Sequence, residues 1–144
     1  MQRATPEAMD LSGETESTLM MYGLQPGPKT GFGWQCLVGR RLAERGVRFI
    51  ELIDVGSSNN WDAHGNMATH GPLAKNVDQP IAALICDLKQ RDIFEDTLVV
   101  WSTEFGRTPY HERVDHPGPE HHQVFSSWLP GGGVKNGIAF GDLG

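Results

Sequence analysis

Apolar positions along the chain alternate between two periods. Trp34, Leu37, Val38 and Leu42 recur at helical spacing, with Arg40, Arg41, Glu44 and Arg45 between them and Gly46 after them. This predicts an amphipathic helix closed by a glycine. Val47-Arg48-Phe49-Ile50-Glu51-Leu52-Ile53-Asp54-Val55 then reads as a strand with an apolar centre. A long loop of low apolar content runs from Gly56 to Gly71. Leu73, Val77, Ile81, Leu84, Ile85 and Leu88 return to one helical face, ending near Arg91. Pro80 inside that face predicts either a kink or a helix start near Asp78. Asp92 to Asp96 reads as a turn, and Thr97-Leu98-Val99-Val100-Trp101 as a buried strand that delivers Glu104 at its C-terminal end.

The flanks are weaker in pattern. Ser12 can cap a short helix over about Glu14–Tyr22, with Gly23 as its stop. Leu24 to Gly33 carries two prolines and three glycines and reads as a linker or surface loop. Residues 1–33 therefore form a loop-rich lead-in, and residues 34–144 an α/β core piece. Beyond the polar stretch from Tyr110 to His122, Val124–Leu129 reads as a short strand. Pro130-Gly131-Gly132-Gly133 reads as a turn, and Val134 to Phe140 as a further extended piece. The summed order, helix and strand in alternation with long loops, predicts a three-layer α/β class with a largely parallel sheet. Three strands are few for a parallel sheet, which needs both faces covered, so the expected sheet is incomplete in this chain.

Composition narrows the partners. At 144 residues there is enough chain for a domain with a real core. A net charge of -6 leaves no basic footprint, so nucleic acid is not an expected partner. No apolar run approaches the ~18 residues of a membrane span. Cys36 and Cys86 both sit within apolar helical patterns and are expected as buried thiols.

Three polar clusters follow the strand-like segments. They are Asp62 with His64, Glu104 with Arg107, and Asp115, His116, Glu120, His121 and His122. Parallel strands would bring all three to one sheet edge, where open α/β sheets put their sites. Carboxylate with imidazole suits zinc, manganese or iron, and carboxylate alone suits calcium or magnesium. Each cluster also has an ordinary reading. An Asp-x-His pair in a loop is a common turn pair, Glu104 could simply pair with Arg107, and adjacent histidines are often surface residues. Arg107 is thus either a structural partner or a clamp for phosphate or sulfate oxygens. Pro-Gly-Gly-Gly-Val-Lys lacks Walker spacing, and no Gly-x-Ser-x-Gly elbow supports a serine hydrolase.

Three motifs carry a resemblance: Trp61-Asp62-Ala63-His64-Gly65-Asn66, Thr97 through Pro109, and Phe125 through Lys135. With Leu11-Ser12-Gly13-Glu14-Thr15-Glu16 they resemble the sulfatase-like family of unknown function (domain of unknown function 1501), placed in the alkaline phosphatase and sulfatase superfamily. The resemblance implies an alkaline phosphatase-like three-layer α/β/α fold, incomplete here. It implies a divalent metal (zinc, calcium or manganese) and hydrolysis of sulfate or phosphate esters. Residue by residue, Glu104 stands for an aspartate ligand, and Asp62 and His64 for the upstream acid and histidine. His121, with His122 second, stands for the downstream histidine. The implied partner is an anionic ester such as a sulfated polysaccharide, and the implied compartment of the parent protein is periplasmic or extracellular.

Two positions depart from the superfamily. Phe105 occupies the place of a second histidine, and Asp62 and His64 are closer together than usual. A single metal, or a non-catalytic scaffold or polysaccharide-binding member, is the alternative these departures imply. Family members are several hundred residues long, so the chain is expected to be an internal piece without the nucleophile region and inactive by itself.

Overall fold

The computed structural model describes residues 4–25, 30–54, 61, 67–102 and 125–141. The chain packs as two units, Met1–Ile93 and Phe94–Gly144.

The first unit is helical. It contains α1 (Ala4–Met9), α2 (Glu16–Met21), α3 (Phe32–Glu44), a 3-10 turn (Met67–Thr69) and α4 (His70–Gln90). Thr15, rather than Ser12, caps α2: its hydroxyl accepts from the Thr18 amide at 3.1 Å. Both α2 and α3 end as their glycines predict. Gly46, at φ 76°, donates to Ala43 O while Val47 donates to Leu42 O, the paired bonds of a Schellman ending. The end of α4 repeats the motif with Asp92 at φ 56°, a left-handed position taken by a residue with a Cβ.

The core lies chiefly between α3 and α4. Cys36, Leu37 and Val38 of α3 and Val77, Ala83, Leu84 and Leu88 of α4 are buried, and Leu37 and Leu88 essentially fully so. Each such leucine contributes roughly 1.5–3 kcal/mol by leaving water. Pro80 neither starts nor ends α4; it is a buried interior position and lies beside Gly33 of α3. The Gln79 amide donates to Met20 O at 3.0 Å and Met21 O at 3.2 Å, satisfying carbonyls at the end of α2. Cys36 is buried as expected, and burial pushes its thiol up to about 12. Cys86 is exposed on α4 and free, contrary to the expectation for it.

The expected α/β class is corrected: the described residues are helical and form no sheet. The strand expected from Val47 is corrected: residues 47–54 form no strand, and no bridge pairs with them among the described residues. Its alternation is satisfied against a helix. Ile50 and Leu52 lie over α3, where a Cβ at Gly39 would come 3.3 Å from Leu52 Cδ2. Phe49 (83% exposed) and Ile53 (56%) face outward. A period of two reports a pleated, one-sided surface and does not by itself supply a neighbouring backbone.

The second unit is built on turns. Thr97 and Gly132 both donate to Phe94 O, at 3.2 Å each, and Val99 donates to Pro130 O at 3.0 Å. Trp101 and Trp128 exchange two 2.9 Å backbone bonds in a single bridge, and that bridge is antiparallel. The expected buried strand here is corrected too, since Leu98, Val100 and Trp101 are 46%, 56% and 40% exposed. Gly131 must be glycine. Its φ is 80°, and a Cβ there would lie 2.7 Å from Phe94 O and closer still to Thr97 O. Pro130–Gly133 is a turn, as read, and no helix follows Lys135 among the described residues. No helix among the described residues is long and apolar enough to cross a membrane.

Candidate functional site

The polar organisation of the first unit centres on Arg40, which is 2% exposed. Its Nη2 lies 2.8 Å from Glu14 Oε2, its Nη1 2.6 Å from Glu44 Oε2, and its Nε 2.8 Å from Asp87 Oδ2. The Nε contact is an ion pair off the hydrogen-bond direction, since that atom makes no well-aligned bond. Asp87 also accepts from Tyr22 OH at 3.0 Å and from Arg91 Nε at 2.6 Å. Arg91 Nη1 reaches Glu44 Oε1 at 2.6 Å. Arg41 pairs with the other oxygen of Glu14 and donates from Nε to Ala8 O at 2.9 Å and from Nη2 to Glu7 O at 2.9 Å. Arg40, Arg41 and Arg91 are thereby set against Glu14, Glu44 and Asp87. The network joins α1, the α1–α2 connection, α2, α3 and α4.

Burial pushes the Glu14 carboxyl up, but hydrogen bonds from Arg41 and Arg40, with their charges, outweigh it and hold it below the usual range. A lowered folded value contributes stability above the unfolded carboxylate range. That contribution is lost as pH falls through the folded value. Burial first, and then the Asp87 carboxylate, push the Tyr22 hydroxyl well above its ordinary range, so it stays a neutral donor.

A second constellation flanks the predicted metal motif. The Trp61 indole donates to Asp54 Oδ2 at 2.9 Å. His70 Nε2 lies 2.9 Å from the Trp61 carbonyl oxygen, and the two rings sit 5.8 Å apart at 51°. Asp54 lies in the segment after α3 and His70 begins α4, so two parts of the first unit bond to Trp61. Trp61 is bonded directly to Asp62.

The predicted ligands Asp62, His64, Glu104, His121 and His122 lie outside the described residues, as do Arg107 and Phe105. Asp115, His116 and Glu120 do as well. Among the described residues no group of three or more His, Cys, Asp or Glu side chains is arranged to hold a metal. The parallel sheet edge that was to gather the three clusters is not found among the described residues.

Sequence reasoning passed over Glu14 and the burial of Arg40. Their signal was present in part. Arg40 with Glu44 and Asp87 with Arg91 are opposite charges at i,i+4. What that spacing lacks is any sign that the two helices turn those faces toward each other.

The sequence profile of a family described as "Protein of unknown function (DUF1501)" matches residues 1–144. No curated protein and no solved structure matches the chain.

Proposed function

The chain belongs to the DUF1501 family of proteins of unknown function, and from that premise we propose that it carries metal ligands of a hydrolase of sulfate or phosphate esters. The observation that carries this reading is the recurrence of carboxylate and imidazole in separate polar segments: Asp62 and His64, Glu104, then His121 with His122. The anchoring of Trp61 by Asp54 and His70 supports it, because it ties down the residue bonded to Asp62. Likeness to the alkaline phosphatase and sulfatase superfamily enters for its chemistry alone.

The donor set fits a divalent cation such as zinc, calcium or manganese: hard carboxylate oxygens with imidazole nitrogens. A bound divalent ion would polarise the ester oxygen and stabilise the charge that develops there. In this reading Arg107 receives the anionic group, its planar fork matching two oxygens of a sulfate or phosphate. An anionic ester, such as that of a sulfated polysaccharide, is the substrate class this chemistry takes.

Phe105 favours a second reading. A phenylalanine directly after Glu104 removes a donor from the place where two-metal phosphatases keep one. A non-catalytic scaffold or polysaccharide-binding protein would keep the anion-binding groups without turnover.

Metal analysis decides between them. The hydrolase reading expects stoichiometric metal in the purified protein and its loss in both Glu104→Ala and His64→Ala. A protein that takes up no zinc, calcium or manganese would leave only the scaffold.

A further inference from the structure

Residues 4–25 lie against α3 and α4 with little apolar attachment. Among the described side chains of this arm, Ala8 and Tyr22 are buried, and α2 buries none. What holds the arm is polar and sits at two places. At its rear, Gln79 of α4 donates to Met20 O and Met21 O, and Tyr22 OH donates to Asp87 Oδ2 at 3.0 Å. At its front, the Arg41 side chain donates to Glu7 O and Ala8 O, and Glu14 spreads its two oxygens over Arg40 and Arg41.

The charges at the front balance only while Glu14 is ionised. Arg40, Arg41 and Glu44 of α3 stand behind it, with Asp87 and Arg91 of α4, so three guanidinium groups meet three carboxylates. From the arm itself, Asp10 accepts from the Ser12 amide, Glu7 meets Arg41 through its backbone oxygen, and Tyr22 donates to Asp87. A proton on Glu14 leaves three positive groups against two negative ones, where the Arg40 side chain is 2% exposed and that of Glu14 6%. Such an uncompensated buried charge is relieved by admitting water. Guanidinium bonds to a neutral carboxyl are also weaker than those to a carboxylate.

We propose that residues 4–15 form an acid-released clasp: protonation of Glu14 frees α1 and the α1–α2 connection from α3, while the rear of α2 stays pinned and α3 stays packed on α4. Opening uncovers Arg40 and takes Glu14, Glu7 and Ala8 away from the Arg41 side chain. The released face of α3 therefore presents two guanidinium groups. Burial pushes the Glu14 carboxyl up, but hydrogen bonds from Arg41 and Arg40, with their charges, outweigh it and hold it below the ordinary carboxylate range. The clasp is thus closed at neutral pH and opens as pH falls through that lowered value.

Amide hydrogen exchange on the whole chain tests this, read residue by residue by NMR and corrected for the intrinsic rate at each pH. Glu14→Gln serves as the comparison, since it keeps the shape of the protonated acid at every pH. In the wild type the amides of Ala8, Met9 and Glu14 should lose protection at least about tenfold as Glu14 titrates, while those of Leu37, Val38, Leu84 and Leu88 keep theirs. In Glu14→Gln the same three amides should be open already at neutral pH and change no further in acid. Wild-type protection of those amides in Glu14→Gln would overturn the clasp, and so would loss in α3 and α4 at the same pH. Should Glu14→Gln fail to fold, carbon-13 NMR of the wild-type Glu14 carboxyl decides instead. A titration that coincides with release of the three amides supports the clasp; one that leaves them protected rules it out.

Discussion

The two units respond to similar apolar material in opposite ways. In Met1–Ile93, helical periodicity turns the apolar face of α3 onto that of α4, and both faces become core. Among the described residues of Phe94–Gly144, Phe94 is buried, while Phe125, Trp128, Leu129, Ile138 and Phe140 are exposed. A helix satisfies its backbone within itself and needs only a second apolar face to bury its own. An extended segment must find both a backbone partner and an apolar face. Among the described residues the second unit has a single bridge, Trp101 with Trp128, and a set of glycine turns to hold it. Among the described residues, contacts in the first unit run between helices, and those in the second stay with one bridge and its turns.

The largest effect expected from this contrast is at Arg40. Arg40→Met leaves Glu14 and Asp87 buried beside an apolar side chain, and breaking such a buried network costs about 3–5 kcal/mol. Urea unfolding followed by helical circular dichroism should show that loss in the first unit. An unchanged midpoint would mean the network is not what ties α1, α3 and α4 together, and the contrast would reduce to apolar burial.

Next comes Gly131. Gly131→Ala forces a Cβ against Phe94 O at a φ of 80°, and the strain and overpacking together should cost about 2–4 kcal/mol. Hydrogen exchange sharpens the comparison here. The Val99 and Trp101 amides, bonded to Pro130 O and Trp128 O, should lose protection while amides of α3 and α4 keep theirs. Loss of protection across both units would show that they unfold as one.

The smallest effect is a gain. Asp92 holds a left-handed φ of 56° at the end of α4. Asp92→Gly relieves the Cβ strain but adds chain entropy to the unfolded state, for a net stabilisation of about 0.5 kcal/mol. A small rise in the midpoint of the first unit checks this, and a fall would mean the Asp92 side chain contributes more than the strain costs.

The sequence by itself determined that α2, α3 and α4 exist and where they stop, but not α1, the Thr15 cap of α2 or the start of α4 at His70. The apolar rows of α3 and α4 were legible because a period near 3.6 is imposed by local geometry, and Gly23 and Gly46 stop their helices for equally local reasons. It also singled out Trp61 through Asn66, and that motif's neighbours Asp54 and His70 lie within nine residues of Trp61. Everything that depends on a distant partner was decided by tertiary structure. The apolar centre after Val47 and the apolar run Leu98-Val99-Val100-Trp101 both read as strands, yet the first lies on a helix and, among the described residues, the second meets another segment at one bridge. Arg40 reads as a solvated face until Glu14 and Asp87, 26 and 47 positions away, close over it. Local periodicity specifies a surface, and only the folded chain supplies what covers it.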